Sequence, residues 1–506
     1  MLFNKASLLL FAVLLCGCTG RVERLDGYLY GRIGANPTTL DPAYVVDVLG
    51  GMIAAKLYNG LVRLDDNLQV VPDVARQWRV SDDGLTYTFA LREDVVFHNG
   101  QRLTVDDVVY SFRRIMSPQT HSPNAWMFKN VADVKVVHTG EIEVTLKTPF
   151  APFLKSLTMP AAYIVPRAEV ERLGKDFGLH PVGTGPFALA RWEPDNNIVL
   201  KKNVLYFDRP ARINGIVYRI IPEDITSMTE FLTGNLDVLG VPASAYAMLT
   251  KDARYAGLVA HASGLNTFYL GLNNSRRPLD NPNLRKAIAC AIDRKKILRT
   301  YLQGQGSYAT SAVPSVLKGY AVADYYPYDP DRARAFLRAS GIAGGVNLKF
   351  YVSAIQESID IAEIIAHYLR QVGIGVEIRI LEWSAYKVAI NNGEPDMFWL
   401  SWWADYPDAE NFLYPMFHSS NFGAGGNRIR YGNPQVDTLI EQARRTLAAP
   451  QREAMYKRTE DAVAIDTPAV FFWHRNEYIV TQPWIKGLRL YPIYNMDKAT
   501  GIENKR

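Results

Sequence analysis

The densest collection of binding chemistry in the chain is Ser401-Trp402-Trp403-Ala404-Asp405-Tyr406-Pro407-Asp408. Two indoles and a phenol offer amphipathic walls, and two carboxylates offer partners for a cation. Paired carboxylates also serve glycoside hydrolysis; Asp405 with Asp408 admits that reading, although nothing else in the sequence supports it. Other candidates are thinner. The eight His, at 98, 121, 138, 180, 261, 367, 418 and 474, form no HExxH, HxH or Cys/His cluster, so no metal centre is expected. No Walker loop or GxSxG elbow occurs. Gly183-Thr184-Gly185-Pro186-Phe187-Ala188 loosely matches a dinucleotide loop. Pro186 and the strand-like run that follows deny it the helix N-terminus a pyrophosphate needs, so a turn is expected. Asp107 is explained as a helix cap. No catalytic residue and no cofactor is expected.

The elements that must hold this chemistry are legible around it. Residues 347–353 read as a strand, 358–372 as a helix closed by Gly373, 375–381 as a strand, 384–392 as a helix and 396–402 as a strand. This β-α-β-α-β alternation predicts an open, parallel α/β sheet, which binds ligands beyond the carboxyl ends of its strands. The Trp-Asp segment emerges at such an end. Packing of the Trp pair between lobes, with the Asp residues capping a turn, is the alternative. Further strands are expected at 28–33, 86–91, 134–146, 198–201 and 216–221. Thr104 with Asp107 predicts a capping box ahead of Val105, Val108, Val109 and Phe112 at helical spacing. Asn281-Pro282 and Asp329-Pro330 open two more helices, the second closed by Gly341.

Composition sets the class. Across 506 residues, 48% are hydrophobic and 21% charged, which excludes a disordered chain, a coiled coil and a collagen-like repeat. No stretch approaches the roughly 20 apolar residues of a membrane-spanning helix. A net charge of +5 is scattered, so no nucleic-acid partner is implied. Aromatics reach 11%, a surplus to follow. At the N-terminus, Lys5 precedes the short apolar run 6–15, and Leu15-Cys16-Gly17-Cys18 follows. This resembles the bacterial lipobox: residues 1–17 would be a signal peptide and Cys18 the lipid attachment site. An ordinary secretory signal is the alternative. Either way Cys290 is the remaining thiol, expected to be buried and inert.

Taken in order, several segments resemble the peptide-type (family 5) extracellular solute-binding proteins of bacterial ABC transporters. They are Asn36-Pro37-Thr38-Thr39-Leu40-Asp41-Pro42, LYNGLVRLD from Leu57, VPDVARQWRVSDDGLTYTFALREDVVFHNGQRLTVDDVVYSF from Val71, PVGTGPFAL from Pro181, LNNSRRPLDNPNLRKAIACAIDRKKI from Leu272 and LSWWADYPDAENFLYPMF from Leu400. The resemblance implies an α/β, periplasmic-binding-protein-like fold of type II, with an extra domain, two lobes and a two-strand hinge. Domain I would combine 26–45, 182–266 and 480–506; domain II would be 46–181 and domain III 267–479. The hinge would lie near 266–273 and 477–481.

Function follows from the same resemblance. The protein would be a non-enzymatic receptor, likened to members that hold extended oligopeptides between lobes by β-augmentation. Asp405 would hold the ligand's α-ammonium. Strands near Tyr44 to Val46 and Leu400 to Trp403, Ser401 among them, would supply main-chain partners. Trp402, Trp403, Trp399 and Tyr44 would wall the pockets, and Asn411 and Asn427 would orient the ligand or fix a loop. Two departures stand out: Trp399 lies about where an oligopeptide-binding relative has an arginine, and Gln356 and Glu357 stand where a basic residue would meet a ligand carboxylate. Some members bind nickel chelates, sugars, haem or modified peptides. The expected partners are an ABC permease and ATPase, and the expected state is a lipid-anchored, extracytoplasmic monomer.

Overall fold

The computed structural model describes residues 24–342 and 345–506; the expected signal segment and Cys18 lie outside the described residues. Three sheets organise the chain. In the first, Tyr28–Ile33 runs parallel to Gly215–Ile220, which continues antiparallel into Asn197–Lys202 and Phe187–Glu193. The second is antiparallel, in the order Ala75–Val80, Thr86–Leu91, Glu141–Leu146, Val131–His138. The expected single strand over 134–146 is therefore two strands. They reverse at Thr139-Gly140, where Gly140 adopts φ +77°. Burial alternates strictly along Glu141–Leu146, with Ile142, Val144 and Leu146 inside. Helix Val105–Met116 covers this sheet. Thr104 and Asp107 form the expected capping box, and Val108, Ser111, Phe112 and Ile115 turn inward.

Gly183-Thr184-Gly185 is a turn ahead of Phe187–Glu193, as its sequence implies. Its amides are already used: Gly183 N donates to His98 Nδ1 at 3.1 Å and Gly185 N to the Leu57 carbonyl at 2.9 Å. Burial pulls the His98 pKa down to about 4, so the ring is neutral, accepts at Nδ1 and donates from Nε2 to the Gly185 carbonyl. Glycine is required here because a Cβ on Gly183 would meet the Leu57 oxygen at 2.1 Å.

The third sheet has eight strands. Its core is the β-α-β-α-β unit: strand Val346–Ser353, helix Gln356–Gln371, strand Ile374–Leu381, helix Trp383–Asn392 and strand Met397–Trp403. Val346–Ser353 pairs in parallel with both other strands, so the chain switches direction between Val346–Ser353 and Met397–Trp403. A crevice opens at the carboxyl ends of strands at such a switch. Beyond Met397–Trp403 lie Asn266–Leu272 and then the thirteen-residue strand Ala469–Thr481. That long strand pairs with Asn266–Leu272 through its first half and with Val259–Ser263 and Val238–Gly240 through its second. The chain crosses a second time through Gly264-Leu265. There, Gly264 N reaches the Arg475 carbonyl at 3.1 Å, and a Cβ would meet that oxygen at 2.7 Å. The sheet thus runs unbroken through residues 238–263, which the resemblance assigns to domain I.

Candidate ligand-binding site

Strand Met397–Trp403 has one paired edge and one open edge. Ala404 N donates to the Leu265 carbonyl at 2.8 Å. Opposite Trp403, the Asn266 carbonyl turns away, to His474 Nδ1 at 2.8 Å. In an antiparallel ladder the main-chain groups alternate sides, so Leu400, Trp402 and Ala404 face Asn266–Leu272. Trp399, Ser401 and Trp403 face the other way. On that side Val346–Ser353 pairs only with Met397 and Phe398, and Tyr386 Oη caps the Trp399 carbonyl. Ser401 and Trp403 are left presenting N–H and C=O groups to an edge with no strand beyond it among the described residues.

The same alternation sends the indoles apart. Trp399 points into the core, 5% exposed, against Phe472 and Trp473 at ring separations of 4.9 and 5.5 Å. It does not wall a pocket. Trp402 packs on the opposite face, where its Nε1 donates to the Asn411 carbonyl at 2.7 Å. Trp403 remains 43% exposed, its Nε1 on Ser401 Oγ at 3.1 Å and its ring against Phe268.

Asp405 follows at the strand end. Its N–H donates to Asn411 Oδ1 at 2.8 Å, which fixes the turn. Asp405 is half-buried. Desolvation pushes its pKa up to about 6, opposed in part by the Asn411 side chain. Among the described residues no Lys, Arg or His pairs with it. Asp408 differs: Lys155 Nζ lies at 3.2 Å, Tyr456 Oη donates at 3.0 Å, and Glu410 N donates at 3.0 Å. One carboxylate is engaged by a cation, a phenol and an amide, and its neighbour meets no cation among the described residues.

Tyr494, which sequence reasoning missed, brings the other side of the site near. Burial raises its pKa, and the charges of Asp405 and Asp47 add to the shift. Its ring covers Gly51, where a Cβ would strike it at 2.3 Å. Asp47 caps helix Val48–Leu57 by accepting from Gly50 N at 2.7 Å. Just before it, Tyr44 to Val46 is not the strand expected. Tyr44 N and Val45 N both donate to the Asp41 carbonyl, and Asn124 Nδ2 takes the Val45 carbonyl at 3.0 Å. This turn ties up the amides of Tyr44 and Val45 and the carbonyl of Val45. Tyr44 Oη donates to the Thr120 carbonyl at 2.8 Å, while Val46 is 64% exposed.

Asn427 is buried and fully used: its Nδ2 donates to the His418 and Tyr431 carbonyls, and its Oδ1 accepts from Tyr431 N. It fixes a loop. Asn411 is buried too, but acts directly on Asp405. Near Gln356 and Glu357 a basic group does occur, from the crossing strand: Arg475 Nη1 sits 2.9 and 3.0 Å from the Glu357 oxygens. Position 475 lies far from that loop in sequence, so no local signal announced it.

A model of the bacterial extracellular solute-binding proteins, family 5 middle region, matches residues 69–424, a span that contains the open-edged strand and Asp405. The chain belongs to family 5 of the bacterial extracellular solute-binding proteins. It is 30% identical over 445 residues to the glutathione-binding protein GsiB of Salmonella typhi, covering 86% of each chain. Family 5 structures superpose over nearly its whole length. The periplasmic binding protein DppA from Helicobacter pylori, in complex with peptide STSA, gives a TM-score of 0.82 at 26% identity, covering 95% of this chain and 98% of that one. HbpA2 from Haemophilus parasuis gives 0.83 at 26% identity, covering 95% and 100%. The fold is therefore the type II periplasmic-binding-protein class of family 5, and the chain is a ligand-binding receptor of the ABC-importer type. No helix among the described residues is long and apolar enough to cross a membrane.

Proposed function

We propose that this receptor captures short peptides, or peptide-like solutes with a free amino group, and hands them to an ABC permease and ATPase. The observation that carries the reading is Asp405, a desolvated carboxylate without a cation beside a strand edge with free main-chain groups. An ammonium about 4 Å from it gains roughly 4 kcal/mol at an effective dielectric near 20. After desolvation a charged hydrogen bond contributes about 1.5–3 kcal/mol net. Ser401 and Trp403 would add an extended ligand as a further strand, which gives affinity with little dependence on side chains. Trp403 and Val46 would border the side-chain pockets, with Tyr44 beside them, while Asn411 holds the anchor in place. The relatives support the ligand class: one is named for glutathione, a tripeptide, and one was solved with a peptide.

On this reading the three discontinuous domains form two lobes. Ligand touches both only when they close, and so shifts the population toward the closed form. Calorimetry on protein stripped by unfolding and refolded should give micromolar or tighter binding of trialanine and none of N-acetyl-trialanine; equal affinity for the two would sink the proposal.

The same reading places the receptor outside the cytoplasm as a monomer held at the membrane by lipid on Cys18. Several acyl chains give stable attachment where one does not. Cys18→Ser should move the protein from the membrane fraction to the soluble fraction. Wild-type protein that incorporates no labelled fatty acid would refute the anchor.

A further inference from the structure

A cavity of about 650 Å³, whose wall does not include Asp405, opens between residues 62–67, 206–209 and 487–502. Its volume lies within the range of small-molecule sites. The charges on its wall are unequally engaged. Asp73 is buried, with both oxygens on Asn59 Nδ2 at 2.8 and 2.9 Å. Asp65 accepts the turn amides of Asn67 and Gln69, Asp66 pairs with Arg489, and Asp497 pairs with Lys56 at 3.2 Å. The cations are less well served. Arg63 reaches only Asp208, at 3.8 Å, and Arg209 at the rim has no partner among the described residues. Lys498 Nζ donates to the Tyr58 carbonyl at 2.6 Å, leaving two donors and no carboxylate within ion-pairing distance. Burial pulls its pKa down to about 8, against the opposing charge of Asp73, with Arg63 and Lys56 adding to the fall.

A neutral acceptor is stranded on the same wall. Asn495 is 6% exposed, its Nδ2 donates to the Thr158 carbonyl at 2.9 Å, and its buried Oδ1 has no partner. Such an orphan is uncommon in a native fold and asks for a donor. Tyr163 and Tyr206 supply flat amphipathic faces beside these groups.

We propose that this cavity is a second ligand site, for a small polyhydroxylated carboxylate such as a sugar acid. The carboxylate would sit among Arg63, Arg209 and Lys498, and the hydroxylated chain would lie against the Tyr163 and Tyr206 rings. This goes beyond the peptide reading and does not depend on it.

Titration calorimetry with D-gluconate, and with D-glucose as its uncharged counterpart, tests the proposal on the full chain. Gluconate should bind saturably, at least about tenfold more tightly than glucose, and Lys498→Met and Arg209→Gln should each weaken it about tenfold. Asp405→Asn should leave it unchanged. No saturation by gluconate up to about 10 mM, equal binding of the two probes, or insensitivity to Arg209→Gln would overturn the site. Weakening by Asp405→Asn alone would also overturn it, because gluconate would then occupy the peptide cleft. If Lys498→Met fails to fold by circular dichroism, the exposed Arg209→Gln variant carries the test.

Discussion

Asp405→Asn should weaken binding of free-amino peptides by roughly 10- to 100-fold, the equivalent of about 1.5–3 kcal/mol, and yet stabilise the empty protein. The two effects share one cause. Burial lifts the carboxyl from the ordinary value of 3.8 to about 6, so its charged form is disfavoured in the ligand-free fold. A carboxylate whose folded pKa lies above its unfolded one destabilises the fold above the folded value, and that penalty fades as pH falls through 6 toward 4. At pH 7 the penalty is at most about 3 kcal/mol, which the amide of asparagine removes. Wild-type ligand-free protein should therefore resist urea better at pH 5 than at pH 7, and the variant should not show this gain. Binding runs in the opposite direction, because an ammonium stabilises the charged carboxylate. Below pH 6 the ligand must expel a proton, so affinity should fall by up to about tenfold per pH unit. In Asp405→Asn that slope should vanish. Calorimetry at pH 5, 6 and 7, with urea titrations at the same points, reads both signs; a wild-type affinity flat across this range would refute the role of Asp405.

Arg114→Met should lower stability by about 3–5 kcal/mol, the usual consequence of leaving a buried charge alone. Arg114 grips Asp41 with both guanidinium nitrogens, Nη1 at 2.8 Å and Nη2 at 2.5 Å, and the two side chains are 11% and 5% exposed. Asp41 also accepts from Ala43 N at 3.1 Å, so the pair pins the turn that carries Tyr44 and Val46 to helix Val105–Met116. Removing the cation strands Asp41 in apolar surroundings and frees that turn. Adding Asp41→Asn to Arg114→Met should recover a good part of the loss, because the abandoned charge goes with it. Arg114→Lys should not restore the wild type, since a single ammonium cannot reproduce the two-pronged grip. A urea midpoint for Arg114→Met within experimental scatter of wild type would refute the account.

What could be read from the sequence followed the range of the interactions involved. The capping box of Thr104 and Asp107, the Asn281-Pro282 and Asp329-Pro330 helix starts, and the β-α-β-α-β unit are each specified within a few residues, and each formed as expected. The reading of the indoles erred where it ignored a period it already held. Trp399 and Trp402 lie an odd number of positions apart on one strand and must face opposite sides. The turn at Tyr44 was illegible because Asn124 and Arg114, distant in sequence, create it. Tyr494 and Arg475 are invisible for the same reason: each reaches its neighbours only after the chain has folded back. Of strand Ala469–Thr481 only the end, 477–481, was anticipated as a hinge crossing, because its first six residues are all buried and show no alternation.

That strand bears on how the molecule is made. Ala260 waits for Ile479 and Leu239 for Val480, while the Asn266–Leu272 partners lie about as far away along the chain. No nascent fragment that ends before this strand can complete the largest sheet, and such distant pairings form slowly. A polypeptide built this way stays unfinished until Ala469–Thr481 is free to pair. If the receptor is exported as proposed, the delay suits a chain that is threaded through a membrane before it folds.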